Sequence, residues 1–165
     1  MSMGACPTLD WVTDLDVDRM QGKWYEVEKE AGFPFTMGFD CTFQELEKAS
    51  STDLDLKFGA WNNMMLGYTG VKGKMYCPSG QENTCLATME DGSSDPEEKI
   101  AFNILATDYD NYQIMYPCMQ MIDAMGVMVK LDYHLIFVRK TLSEEKMDEI
   151  RDILREKAPE YNYDW

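Results

Sequence analysis

The chain has 165 residues, enough for one domain with a sizeable core and too few for two comfortable ones. Fifteen basic against thirty acidic residues leave a net charge of −15, which repels phosphate backbones and anionic lipid surfaces and argues against a nucleic-acid partner. No apolar run is long enough to cross a bilayer; the nearest, 119–131, is interrupted by Asp123 and Lys130.

At the start, Met1-Ser2-Met3-Gly4 lacks the basic and apolar regions of a signal peptide, which reads either as a cytosolic chain or as a mature one with a replacement start. Cysteine usage favours the second and a secreted protein. The five cysteines, Cys6, Cys41, Cys77, Cys85 and Cys118, form no Cys-x-x-Cys pair and have one histidine for company, which suits disulfides and not a zinc site. Two bridges among five thiols can be drawn in about fifteen ways. Cys77 and Cys85 flank a turn-like stretch, 78–84, and a bridge across that hairpin fits.

Turn signals recur about every ten residues, the rhythm of an all-β sandwich or barrel. After an acidic turn around Asp14, Asp16 and Asp18, a strand opens with Gly22 two residues before Trp24. Glycine lets the backbone turn tightly there, and a tryptophan so placed can plug the mouth of a closed sheet. Gly32-Phe33-Pro34 breaks the pattern, and a second strand runs over 39–48 to the turn Ala49-Ser50-Ser51. The third alternates, with Leu54, Leu56 and Phe58 on one face and Asp53, Asp55 and Lys57 on the other. Beyond a turn at Asn62-Asn63, a strand over 65–77 carries Gly67, Gly70 and Gly73, the bends or bulges of a curved wall. A short strand over 84–89 leads to 91–98, which has the residues of a calcium loop without its order and reads as a solvated turn. Strands over 100–105 and 112–116, joined at Asp110-Asn111, and a last one over 133–138 complete a set of eight. Eight antiparallel strands of this length close an up-and-down barrel that can hold one small ligand. A helix over about 142–158 follows: Thr141 and Glu144 make a capping box, Met147, Ile150 and Leu154 share a face, and Pro159 ends it. Its apolar face needs a cover, which the outside of the barrel supplies. The whole of 1–165 is thus expected to be a single all-β domain; the aromatic tail, 161–165, has no assigned place in it.

The Gly22-x-Trp24 strand start, the turn Thr107-Asp108-Tyr109-x-x-Tyr112 and the late-strand Arg139, in this order before one helix, resemble the three motifs of the lipocalin family. Trp24-Tyr25-Glu26-Val27-Glu28-Lys29 and Ile104-Leu105-Ala106-Thr107-Asp108-Tyr109 are similar to the wording of its apolipoprotein D, crustacyanin and insect bilin-binding group. The resemblance implies that Arg139 crosses the Trp24 ring at a closed barrel end, with Gly22 beside them. It also implies a Cys6–Cys118 bridge. That group links a cysteine at the place of Cys41 to one near the carboxyl end, but here none follows Cys118, which leaves the second bridge open; a Cys77–Cys85 pair across the hairpin would leave Cys41 free.

With Arg139 at the closed end, alternation turns Phe137, Leu135 and Tyr133 inward. The family alignment adds Gln113, Met115, Phe102 and Ile104, and the third strand adds Leu56 and Phe58. Plain core packing is the competing reading for each residue singly. Glu26 shares the face of Trp24, so either it is an inward carboxylate needing a partner or a proton, or the strand is irregular. Met64, Met65, Met119, Met121, Met125 and Met128 gather in two loop-like stretches, a rim that can mould around a long or planar apolar ligand, with Met64 foremost. A packed loop or a partner surface is the plainer alternative. His134, opposite in face to Leu135 and Phe137, reads as a strand-surface histidine and no metal ligand. The resemblance therefore implies a secreted, non-enzymatic binding protein for a small hydrophobic molecule, with a bilin or carotenoid chromophore ahead of a lipid and a homo-oligomer left open. Two alternatives stand beside it: a thiol-dependent isomerase of a lipophilic substrate, needing Cys41 inward, and an interaction module with a filled barrel.

Overall fold

The computed structural model describes residues 2–29, 38–90 and 99–161. The expected break at Gly32 to Pro34, the solvated turn at 91–98 and the tail beyond Tyr161 lie outside the described residues. In chain order the elements are β1 (Ser2–Met3), α1 (Val17–Met20), β2 (Gly22–Lys29), β3 (Phe39–Lys48), β4 (Asp53–Asn62), β5 (Gly67–Tyr76), β6 (Cys85–Met89), β7 (Ile100–Phe102), β8 (Ile104–Thr107), β9 (Tyr112–Met115), β10 (Cys118–Ile122), β11 (Met128–Asp132), β12 (Leu135–Val138) and α2 (Glu144–Lys157).

One antiparallel sheet of nine strands runs β7-β6-β5-β4-β3-β2-β12-β9-β8. Its two outermost strands, β7 and β8, are consecutive halves of one strand parted at Asn103, so the sheet curls round and nearly closes on itself. Thr84 holds that seam: its hydroxyl accepts from the Ile104 amide at 2.9 Å and its own amide donates to Asn103 Oδ1 at 3.2 Å. The eight expected barrel strands are therefore present, one of them broken in two.

The stretch 119–130 differs from expectation. It is not loop but a hairpin, with Met119 opposite Leu131 and Met121 opposite Val129, and β1 adds a third strand along β11. Six methionines spread over 119–130 and 64–65 suggest irregular chain, yet an unbranched side chain is tolerated in a ladder whose hydrogen bonds come from the backbone. At the other tip, β5 begins at Gly67 and 63–66 is turn.

The helix starts later than the Thr141 capping box proposes. Ser143 is the cap, its hydroxyl accepting from the Lys146 amide at 3.2 Å. Leu142 just before it and Met147 belong to one apolar cluster, the arrangement of a hydrophobic staple, and this fixes the entry point two residues downstream. Met147, Ile150 and Leu154 bury the expected face against β8, β9 and β12, with Leu105, Ile114, Ile136 and Val138 opposing them. Each fully buried aliphatic side chain in that layer contributes roughly 1.5–3 kcal/mol. A second cluster fills the barrel interior around Trp24, Leu46, Leu54, Leu56, Met75, Ile104 and Phe137.

Both expected bridges are formed, Cys6–Cys118 and Cys77–Cys85, and Cys41 is free.

Candidate functional site

The closed end shows how the interior is oriented. The Arg139 guanidinium lies 3.7 Å from the centroid of the Trp24 ring and donates to the carbonyls of Arg19, Gln21 and Tyr109. Trp24 Nε1 donates to Met20 O at 3.0 Å. Gly22, at φ +102°, passes so close that a Cβ there would meet Arg139 Nη1 at 2.8 Å. Asp108 ties the adjoining turn, accepting from the amides of Asn111 and Tyr112 at 2.8 and 3.0 Å, and the Tyr109 hydroxyl accepts from the Asp16 amide.

Away from that plug the interior opens into a cavity of about 350 Å³, lined by Phe39, Phe58, Gly59, Ala60, Val71 and Leu135 together with Glu26, Thr42, Thr69, Gly70 and Tyr133. It is an apolar chamber with a few polar groups on its wall, and its size lies within the range of small-molecule sites. The wall is thin at Gly70, where a Cβ would meet Phe58 O at 2.7 Å.

Glu26 is inward, its side chain 7 % exposed. The strand is irregular as well, so both halves of the sequence reading hold: the register of β2 against β12 slips beside Val27, leaving Glu26 opposite Phe137 and Glu28 opposite Ile136. Glu26 therefore faces the cavity and Glu28 faces α2. Burial pushes the Glu26 carboxyl above the usual carboxylate range, and the charge and hydrogen bond of Lys29, with Thr42, hold it back. Lys29 Nζ stands 3.4 Å from Glu26 Oε1 and donates to Phe39 O at 3.0 Å. Tyr133, also on the wall, has its phenol pushed up to about 12 by burial and by Glu26, so its hydroxyl stays neutral.

Two amides lie deeper. Gln44, opposite Trp24 on one side and Phe58 on the other, and Gln113, opposite Phe137, are both fully buried. Neither the nitrogen nor the oxygen of either side chain has a hydrogen-bond partner among the described residues. An unsatisfied buried polar group costs about 1–3 kcal/mol, so two whole amides left this way mark a place where something else supplies partners.

Of the other residues expected at a ligand site, Phe58, Tyr133 and Leu135 line the cavity. Leu56, Ile104, Met115 and Phe137 are buried in the interior cluster and Phe102 packs on its edge, with no share in the lining. Met64 is 92 % exposed at the β4–β5 tip and is not among the residues lining the cavity. His134 is outward-facing as alternation predicts but not on the surface: it is 3 % exposed, beneath α2. Its Nδ1 lies 3.2 Å from the Tyr161 hydroxyl and its Nε2 lies 3.5 Å from Glu28. Cys41 sits exposed at φ +50°, in a bulge of β3, and is not part of the cavity wall, so the inward thiol that an isomerase needs is not there. That bulge also explains two lining residues the sequence reading missed, because an extra residue lets Phe39 and Thr42 face the same way.

No family model matches the chain, and no curated protein sequence does. Solved structures do. Insecticyanin from the tobacco hornworm Manduca sexta superposes with a TM-score of 0.74 at 21% identity, over 93% of this chain and 79% of that one. The chain has a lipocalin fold. Lobster apocrustacyanin A1 shares it at a TM-score of 0.69 and 18% identity, over 94% and 83% of the two chains. So does the amine binding protein of Rhodnius prolixus in its tryptamine complex, at 0.60 and 15%, over 92% and 80%. Among the described residues of this lipocalin barrel, no group of three or more His, Cys, Asp or Glu is placed to hold a metal ion, and no helix is long and apolar enough to cross a membrane.

Proposed function

We propose that the protein is an extracellular carrier that holds or sequesters one small hydrophobic molecule in its barrel. The observation that carries this reading is the 350 Å³ chamber between the Trp24–Arg139 plug and the open end, apolar on most of its wall with a few polar groups, Glu26 and Thr42 among them. Binding there removes apolar ligand surface from water at about 25 cal/mol for each Å², before the cost of association. Two disulfides, one of them closing most of the chain into a loop, suit an oxidising compartment. The likeness of the β2 and β8 wording to the crustacyanin and bilin-binding group favours a bilin or carotenoid chromophore, with a lipid next. The amine binding protein shows that this fold also takes up tryptamine. We assign no catalytic role and place the binding of ligand at Phe58, Tyr133 and Leu135, together with Glu26 and Thr42.

Titration with the neutral lipophilic dye N-phenyl-1-naphthylamine tests the reading. Saturable one-to-one binding in the wild type, lost when Ala60→Phe fills the chamber, is the expected result. Equal dye uptake by both proteins would place the apolar site elsewhere, and no uptake by either would favour a filled barrel and an interaction module.

A further inference from the structure

The polar side of the chamber has a definite chemical character. Among the described residues Glu26 is the single ionisable acid on its wall, and Tyr133, the one other titratable group there, stays neutral. Lys29 pairs with Glu26 but is not on the wall and is also engaged by Phe39 O. A ligand entering the chamber therefore meets the carboxylate and not the ammonium.

The neighbouring rows of the barrel carry further polar groups. Glu26, Phe137 and Gln113 lie side by side across β2, β12 and β9. One step toward the closed end, Trp24, Gln44 and Phe58 lie side by side across β2, β3 and β4, and Thr42 stands directly above Gln44 on the same face. Neither the side-chain oxygens nor the nitrogens of Gln44 and Gln113, which lie behind the lining, have hydrogen-bond partners among the described residues. On the wall itself the Glu26 carboxylate and the Thr42 hydroxyl form the polar flank, while Phe39, Ala60, Val71 and Leu135 offer only hydrocarbon.

Building on the carrier reading, though against its pigment preference, we propose that the chamber selects a cationic N–H donor, an amine or other protonated nitrogen on an apolar body, and rejects a carboxylate of the same length. An ammonium brings several donors and no acceptor, so it answers the Glu26 carboxylate and the Thr42 hydroxyl oxygen together. A free carboxylate brings acceptors only and sets its charge against Glu26 in a water-poor chamber, where like charges repel far more than in bulk water. The net charge of −15 works in the same direction during approach.

Decylamine, decanol and decanoate, equal in chain length and different in head, test this at neutral pH by displacement of N-phenyl-1-naphthylamine. The wild type is expected to bind decylamine at least about tenfold more tightly than decanoate, with decanol between them. In Glu26→Gln the ratio of decylamine to decanol affinity is expected to fall to about one, a ratio that does not depend on how much of the variant is folded. Decanoate binding as tightly as decylamine in the wild type would overturn the proposal, with or without a usable variant. So would an amine preference that survives Glu26→Gln. If the dye binds and Ala60→Phe abolishes it while the decyl series shows no head-group order, the selectivity fails and the carrier stands. If neither the dye nor any decyl compound binds, the carrier reading falls first and takes the selectivity with it.

Discussion

The two faces of the barrel wall bury polar groups in opposite ways. On the outer face, under α2, Glu28 Oε2 accepts from Arg151 Nε at 2.8 Å, its other oxygen lies 3.5 Å from His134 Nε2, and His134 reaches Tyr161. On the inner face, Gln44 and Gln113 are just as buried and have no hydrogen-bond partner among the described residues. A buried polar group that is answered by its neighbours holds structure together, whereas one left unanswered by them calls for another partner, an ordered water or a guest. The same contrast shows in two carboxylates two residues apart. Burial raises both, but His134 and Arg151 together outweigh it at Glu28 and leave that carboxyl low, while at Glu26 Lys29 with Thr42 does not and the carboxyl stays high.

The comparison can be broken most forcibly at the disulfides. Cys6–Cys118 fastens the amino-terminal segment to the outer cluster across a separation of 112 residues, and Cys77–Cys85 sits in the inner cluster across 8. On chain entropy alone, removal of the long-range bridge as a Cys6→Ser, Cys118→Ser pair costs about 5 kcal/mol and removal of the short one about 2.5. Urea midpoints of the two double variants give the order directly. Next comes α2: Ile150→Ala, at a fully buried outer position, is expected to cost about 2–5 kcal/mol. Dye affinity measured well below its melting temperature should not change, because the outer layer does not touch the chamber.

The carboxylates give effects of opposite sign with pH. Glu28 has a folded pKa below its ordinary 4.5, so its stabilisation is present above that pH and is lost as the pH falls through the lowered folded value. Glu28→Gln should cost about 2 kcal/mol at neutral pH and progressively less in acid. Glu26 has a folded pKa above 4.5, so ionising it takes stability away as the pH rises from 4.5 through the raised value. Glu26→Gln should abolish that decline and leave the empty protein at least as stable as the wild type at pH 7. Denaturant midpoints across the acid to neutral range distinguish the two signs. The smallest change in stability belongs to Gln113→Met. Replacing an unanswered amide by a thioether of similar shape is expected to be neutral or to stabilise the empty barrel by up to about 1 kcal/mol. Its ligand affinity should nonetheless fall, whereas a purely structural glutamine would lose stability and leave affinity alone.

These residues also show what could be read ahead of the structure. The closed end was legible through the resemblance that Gly22, Trp24, Asp108 and Arg139 carry, and the structure shows each held locally: Gly22 passes close beside Arg139, Asp108 caps its own turn, and Arg139 follows an unbroken apolar strand. The barrel and its helix followed from alternation and from the spacing of Met147, Ile150 and Leu154. Strict alternation failed wherever one residue is added, beside Val27 and at Cys41, since a bulge moves every later side chain to the other face. Thus Thr42 and Phe39 escaped notice, and Glu26 stayed between an inward carboxylate and an irregular strand, with Glu28 given no place. The burial of His134 was beyond reach for another reason: its cover comes from α2 and Tyr161, remote in sequence. Gln113 came from the family alignment, and counting carboxamides on inward positions would have added Gln44, because an amide in an apolar row is a signal in its own right.

The most direct test of the central claim, that the inner face is kept incomplete for a guest, is a native mass spectrum of the protein purified from its natural source. A discrete mass of several hundred daltons above that of the chain, retained under gentle ionisation and released on unfolding, is what the account predicts. A bare chain mass, combined with failure of the purified protein to take up any hydrophobic amine, dye or pigment, would contradict it.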